Sequence, residues 1–254
     1  MIIDVLYLQI YMKIVKLNAI NSTNTFLREL ARKSVVESLT VAVAENQTNG
    51  KGQFDGKWTS EVGKNLTFSI LYNFLDLSID NAFYLNCAVS LAVYDTLSKY
   101  HKEKLKVKWP NDILSSRKKL CGILIENTVS NGNITSTIIG IGLNVNQEIF
   151  PKDLPNATSL KKVTGKDIDK EKLLHELLEK IKEQLLLVAE KQFTLLQKNY
   201  EQVLYKKNQP MMFRNEISGN FLGKILGITK QGKLIVELEN ETLKTFDLKE
   251  IQFM

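Results

Sequence analysis

The chain has 254 residues, of which 44% are hydrophobic and 24% charged, with two cysteines and two histidines. That supplies a sizeable core and argues against a disordered, fibrous or disulfide-stapled protein. The net charge of +6 favours anionic partners, whether nucleotide phosphates, nucleic acid or an acidic protein, without choosing among them.

The apolar opening from Met1 to Ile14 is broken by Asp4 and falls far short of the ~20 residues a membrane span needs. It reads as an edge strand, and Met12 is an alternative start. Lys13 to Leu17 reads as a strand. Asn21, Ser22, Thr23 and Asn24 then offer N-caps for a helix carrying Phe26, Leu27 and Leu30. Thr40 to Ala44 is a short β-rich run, Glu45 to Lys64 a polar, glycine-rich segment, Leu66 to Phe74 a strand and Ala82 to Leu97 an apolar helix. Leu105 to Trp109, Leu120 to Asn127 and Ile134 to Leu143 read as strands joined by polar turns, so the sheet is expected to be partly antiparallel. Pro151 to Thr164 reads as a loop. One long helix is expected from Asp169 to about Asn199, with Leu174, Leu177, Leu178, Ile181, Leu185 and Val188 on one stripe. Beyond Pro210, short strands and tight turns suggest a small β-barrel.

Cys87 and Cys121 sit in apolar surroundings, and no Cys/His spacing suits zinc. Reduced, buried thiols in a cytoplasmic protein fit this usage. The lysines between Lys161 and Lys172 alternate with acids and read as a solvated helix face.

Three segments carry polar chemistry beyond what a core needs. Gln47 to Trp58 contains Gly50, Gly52 and Gly56 with Lys51 and Lys57. It suits a loop offering backbone donors and positive charge to phosphate, and a plain surface turn is an equal alternative. Lys108-Trp109-Pro110-Asn111-Asp112, followed by Lys119 and Gly122, packs unlike chemistries into a short stretch. Asp112 could hold magnesium there and Lys119 could meet the same charge, while a surface ion pair would leave Trp109-Pro110-Asn111 unexplained. Gly140-Ile141-Gly142-Leu143-Asn144 ends a strand in polar amides, as a pocket wall or a self-capped bulge would. These segments hold no Ser/His/Asp or Cys/His set. Cations, backbone donors and a metal without a protein nucleophile point to nucleotide activation of an acid.

Ser22-Thr23-Asn24, Gly50 to Trp58, Lys108 to Asp112, Lys119 to Gly122 and Gly140 to Asn144 occur in the order of the biotin protein ligase motifs, and the chain resembles that family from about Lys13 onward. The resemblance implies an α+β fold: a mixed, largely antiparallel sheet with helices on one side, class II synthetase-like, over residues 1–207. A C-terminal SH3-like β-barrel would follow at 208–254. It implies a ligase that joins biotin and MgATP into biotinyl-5′-AMP, releasing pyrophosphate, and then transfers biotin to a lysine of a biotin carboxyl carrier domain. A lipoate or octanoate ligase or transferase is the alternative. Mg2+ with biotin and ATP as substrates is implied, and no tightly bound organic cofactor.

By the same resemblance Lys119, Asp112 and Lys51 are catalytic, and Asp112 serves magnesium. Ser22, Thr23, Asn24, Gln47, Gly50, Lys51, Gly52, Gln53, Lys119, Gly122 and Gly142 form the biotin site. Lys51, Gln53, Lys57, Trp58, Asn111, Asp112, Lys119 and Asn144 form the ATP and adenylate side. The glycine loop departs from the family pattern, with Lys51, Gln53 and Gly56 where arginines are usual. Lysine keeps the charge without the bidentate fork, and glutamine keeps only hydrogen bonding. Fewer residues precede Ser22 than the family's DNA-binding module needs, so no DNA partner is expected. No membrane association is expected either, and a homodimer is compatible with the sequence.

Overall fold

The computed structural model describes residues 12–53, 56–101, 103–216 and 219–254. Most of the edge strand expected from Met1 to Ile14 lies outside them.

Strand β1 (Lys13–Ile20) leads into helix α1 (Thr23–Lys33), whose cap is Ser22. Strand β2 (Thr40–Gln47) follows, then a two-residue hairpin of β3 (Gly50–Lys51) and β4 (Lys57–Trp58), and the long strand β5 (Leu66–Ser78). Helix α2 (Phe83–His101) precedes β6 (Leu105–Lys108), β7 (Asp112–Ser115), β8 (Lys118–Ser130) and β9 (Asn133–Leu143). These strands form one seven-stranded sheet in the order β1-β2-β5-β9-β8-β7-β6, parallel only between β1 and β2. The expected mixed, largely antiparallel sheet is present.

The two faces of this sheet differ because side chains alternate along a strand. Phe68 and Ile70 of β5 and Ile139 and Ile141 of β9 point into the main core. Helices α2 and α4 (Lys170–Ala189) cover that face. Helix α2 is apolar nearly all round and buries twelve residues, as a helix sandwiched between layers must. The opposite face carries Thr67, Ser69, Gly140 and Gly142, and α1 covers part of it through Leu27, which packs on Ala42, Leu71 and Ile138.

Two elements differ from the sequence reading. The loop from Pro151 ends in the single-turn helix α3 (Leu160–Thr164), capped by Ser159. The long helix is two: α4 ends at Ala189, Lys191 takes a left-handed backbone (φ 58°), and α5 (Phe193–Gln202) restarts after it. The predicted apolar stripe on α4 is buried throughout.

The expected C-terminal barrel does not form. Strands β10 (Pro210–Asn215), β11 (Gly219–Ile228), β12 (Leu234–Leu238), β13 (Leu243–Phe246) and β14 (Gln252–Phe253) make an open sheet in the order β13-β12-β11-β10-β14. No ladder joins β13 to β14, and β14 is two residues long and pairs only with β10. The apolar face of the sheet is instead satisfied by the rest of the molecule. Phe213, Ile225, Leu234 and Val236 belong to the same core as Trp109, Leu196 and Tyr200, so closure is not needed to bury them.

Candidate active site

The second face of the large sheet becomes a cleft because its residues are small. Register places Thr67 of β5, Gly142 of β9, Gly122 of β8 and Asp112 of β7 side by side in one row across four strands. The next row holds Ser69, Gly140 and Leu124. Above this floor lies a cleft of about 260 Å3, just under the ~300–1,000 Å3 usual for small-molecule sites. Its walls are the start of α1, the end of β2, the β3–β4 hairpin and Lys119.

The polar end is built by α1. Thr23 donates its backbone N–H to Gln47 Oε1 at 2.8 Å, and its hydroxyl lies 2.6 Å from Ser69 Oγ. Ser69 in turn donates to Asn24 Oδ1 at 2.5 Å. Ser22, Thr23, Asn24 and Ser69 are all nearly inaccessible, so these bonds form away from competing water. Asn24 lies against Gly140, where an added Cβ would come 2.3 Å from Oδ1. Only a glycine leaves room for that amide.

The charged end is built by β7 and β8. Lys119 Nζ lies 2.7 Å from Asp112 Oδ1 and 5.9 Å from the centre of the Trp58 ring. A bulge in the β7–β8 ladder lets Leu120 and Cys121 both enter the core while Lys119 and Gly122 face the cleft. The backbone of Lys119 is clamped, its N–H donating to Asn156 O at 2.6 Å and its carbonyl accepting from Thr158 N at 2.9 Å. Asn144 serves that clamp from outside the cleft, donating from Nδ2 to Thr158 O at 2.9 Å. Asn111 lines the cleft, but its Nδ2 donates to Ile123 O at 2.6 Å and braces the β7–β8 corner.

The hairpin folds over this floor. Pairing of Gly50 with Trp58 lays the indole on Gly142, where an added Cβ would meet Trp58 Cε2 at 2.2 Å. The indole Nε1–H is buried with no hydrogen-bond partner among the described residues. Lys51, Gly52, Gln53, Gly56 and Lys57 line the mouth. The Gly52 N–H donates to Gly56 O at 2.6 Å, so this backbone donor is already taken.

Of the residues singled out from sequence, Ser22, Thr23, Asn24, Gln47, Lys51, Gly52, Gln53, Lys57, Trp58, Asn111, Asp112, Lys119, Gly122 and Gly142 converge on one cleft. Gly50 lies beside it under Gln47 and Trp58, and Asn144 behind it. Thr67 and Gly140 complete its lining and Ser69 lies beneath it, bonded to Thr23 and Asn24; none of the three was singled out as a ligand residue. Strand alternation in β5 places both hydroxyls opposite Phe68, a signal available only once the neighbouring strands are known.

Among the described residues no cluster of three or more His, Cys, Asp or Glu side chains could hold a metal by itself. Magnesium typically binds through one or two carboxylates plus substrate phosphates, and Asp112 at the cleft suits that arrangement.

Comparison with known proteins follows the same outline. The model of the biotin/lipoate A/B protein ligase family matches residues 17–144. The bifunctional ligase/repressor BirA of Bacillus subtilis is 32% identical over 232 residues, covering 89% of this chain and 70% of that protein. The biotin--[acetyl-CoA-carboxylase] ligase of Mycobacterium tuberculosis is 32% identical over 142 residues, 55% of this chain and 51% of its own. Among solved structures, the biotin protein ligase of Aquifex aeolicus in complex with biotin and ATP superposes with a TM-score of 0.79 at 29% identity, covering 96% of this chain and 99% of that one.

Proposed function

The chain belongs to the biotin/lipoate A/B protein ligase family, and from that premise we propose that it is an ATP-dependent biotin–protein ligase working in two half-reactions. The observation that carries this reading is the one cleft that holds a buried amide and hydroxyl array at one end and the Lys119–Asp112 pair at the other. A urea-like head group needs fixed donors and acceptors, and an acid being adenylated needs cations at its far end.

In the first half-reaction a biotin carboxylate oxygen attacks the α-phosphorus of ATP, the bond to the bridging oxygen breaks, and pyrophosphate leaves. Lys119 stabilises the carboxylate and then the acyl phosphate, where negative charge gathers in the transition state. Lys51 and Lys57 at the mouth meet the departing phosphates. Asp112 orients Lys119 and would help hold magnesium, which would neutralise charge on the phosphates. Trp58 packs over the glycine floor and keeps water from the mixed anhydride. In the second half-reaction the neutral ε-amine of a carrier-domain lysine attacks the acyl carbon, AMP leaves with the electron pair of the broken bond, and the nitrogen loses a proton to solvent as the amide forms. Biotin and MgATP are the substrates, the acyl acceptor is a biotin carboxyl carrier domain, and the setting is cytoplasmic. Among the described residues no helix is long and apolar enough to cross a membrane.

The test is exchange of labelled pyrophosphate into ATP in the presence of biotin, lipoate or octanoate. Exchange with biotin is expected, and exchange with lipoate or octanoate alone would move the assignment to that branch of the family.

A further inference from the structure

The proposed head pocket has a hydrogen-bond direction, and its origin lies outside the cleft. Glu126, on β8, accepts from Asn24 Nδ2 through Oε2 at 2.7 Å and pairs through Oε1 with the guanidinium of Arg28 on α1. A carboxylate held by a guanidinium offers acceptors only, so the Asn24 amide must present Nδ2 to Glu126 and Oδ1 to the other side. Oδ1 can then only accept, and the single proton of Ser69 fills the 2.5 Å contact to it. With that proton committed, the 2.6 Å contact between Thr23 and Ser69 requires the proton of Thr23. Gln47 Oε1, 3.1 Å from the Thr23 hydroxyl, is left with the Thr23 backbone N–H at 2.8 Å. Thr23 therefore faces the cleft as an acceptor.

We infer that Arg28 and Glu126 are positioning residues that orient the Asn24–Ser69–Thr23 chain so that the cleft selects an acid whose head group donates N–H. The inference rests on the biotin-ligase reading and deepens it. A ureido N–H satisfies the Thr23 acceptor, whereas the dithiolane of lipoate has no N–H to offer and leaves a buried hydroxyl lone pair unpaired.

Glu126→Gln tests it, because a glutamine can present either its oxygen or its nitrogen to Asn24 and the chain loses its direction. Titration calorimetry of the full chain with biotin should show a Kd raised about tenfold, the effect of one ill-matched buried hydrogen bond. The Kd for ATP should change less than twofold, and the melting temperature should hold. The exchange variant Asn24→Asp with Glu126→Gln restores an acceptor toward Ser69 and a donor toward residue 24, and should recover most of the lost biotin affinity. An unchanged biotin Kd in Glu126→Gln would overturn the inference. So would parallel losses of biotin affinity, ATP affinity and melting temperature, which mark a simple strut, and so would a double variant no better than the single. Wild-type protein that binds lipoate and not biotin would instead defeat the functional reading, a distinct result.

Discussion

At the scale of single residues, Lys119 has the most consequential position. Its side chain is two-fifths exposed, so its pair with Asp112 contributes under about 1 kcal/mol to folding. In the adenylation step the same charge faces a developing acyl phosphate. Lys119→Ala should therefore lower pyrophosphate exchange by ~10²–10³-fold with little change in melting temperature, the usual effect of removing a preorganised charge. A matching loss of both would assign Lys119 a structural role. Gly142 makes a second prediction. A methyl group there collides with the Trp58 ring at 2.2 Å, and the indole is carried by a two-residue strand outside the large sheet. Gly142→Ala should displace Trp58, weaken acid binding and shift the tryptophan emission, leaving the fold intact. The thiols make a third. Burial pushes the Cys87 and Cys121 thiols well above their usual range, and both are inaccessible. Neither should react with a thiol reagent until denaturant is added, since only an exposed thiolate is reactive.

At the scale of elements, the cleft is a consequence of sheet register. Thr67, Gly142, Gly122 and Asp112 come from the remote strand β5 and the consecutive strands β9, β8 and β7, and meet because their neighbours fill the core on the other face. The polar and glycine-rich motifs were readable in sequence as dense, unlike chemistry. Of the floor row, Asp112, Gly122 and Gly142 were legible in those motifs and Thr67 was not, since a hydroxyl in β5 shows its direction only when the pairing partner is known. Local chemistry also explains what the sequence reading of the helices got right and wrong. The six apolar residues on α4 recur at helical spacing and are buried as that spacing requires. The break at Lys191 has no glycine or proline to announce it, only a left-handed lysine after a helix end. Leu177 sits on this stripe with no exposed surface, and Leu177→Ala should cost about 2–5 kcal/mol in a denaturant titration. A smaller loss would mean that the helix layer repacks freely against the sheet.

At the scale of the whole molecule, the C-terminal sheet and the cleft share support. Trp109 Nε1 donates to Gly232 O at 2.8 Å, Tyr200 donates to Pro110 O at 3.1 Å, and Lys108 Nζ lies 5.0 Å from the Phe253 ring centre. The segment just before Asp112 is thereby held by α5 and the C-terminal sheet. This is also why a barrel was expected and an open sheet is found. Short strands and turns specify the hairpins, but closure depends on what covers the apolar face, and here the rest of the protein covers it. Trp109→Phe removes one buried hydrogen bond and leaves a carbonyl unpaired, so a loss of about 1–3 kcal/mol in stability is expected.

The central claim is that the cleft adenylates biotin. Biotin-dependent exchange of labelled pyrophosphate into ATP, with lipoate and octanoate run in parallel, tests it most directly. The structure predicts exchange that requires biotin and falls by ~10²–10³-fold in Lys119→Ala. Folded protein that exchanges with no acid in the presence of magnesium, or with lipoate alone, would contradict it.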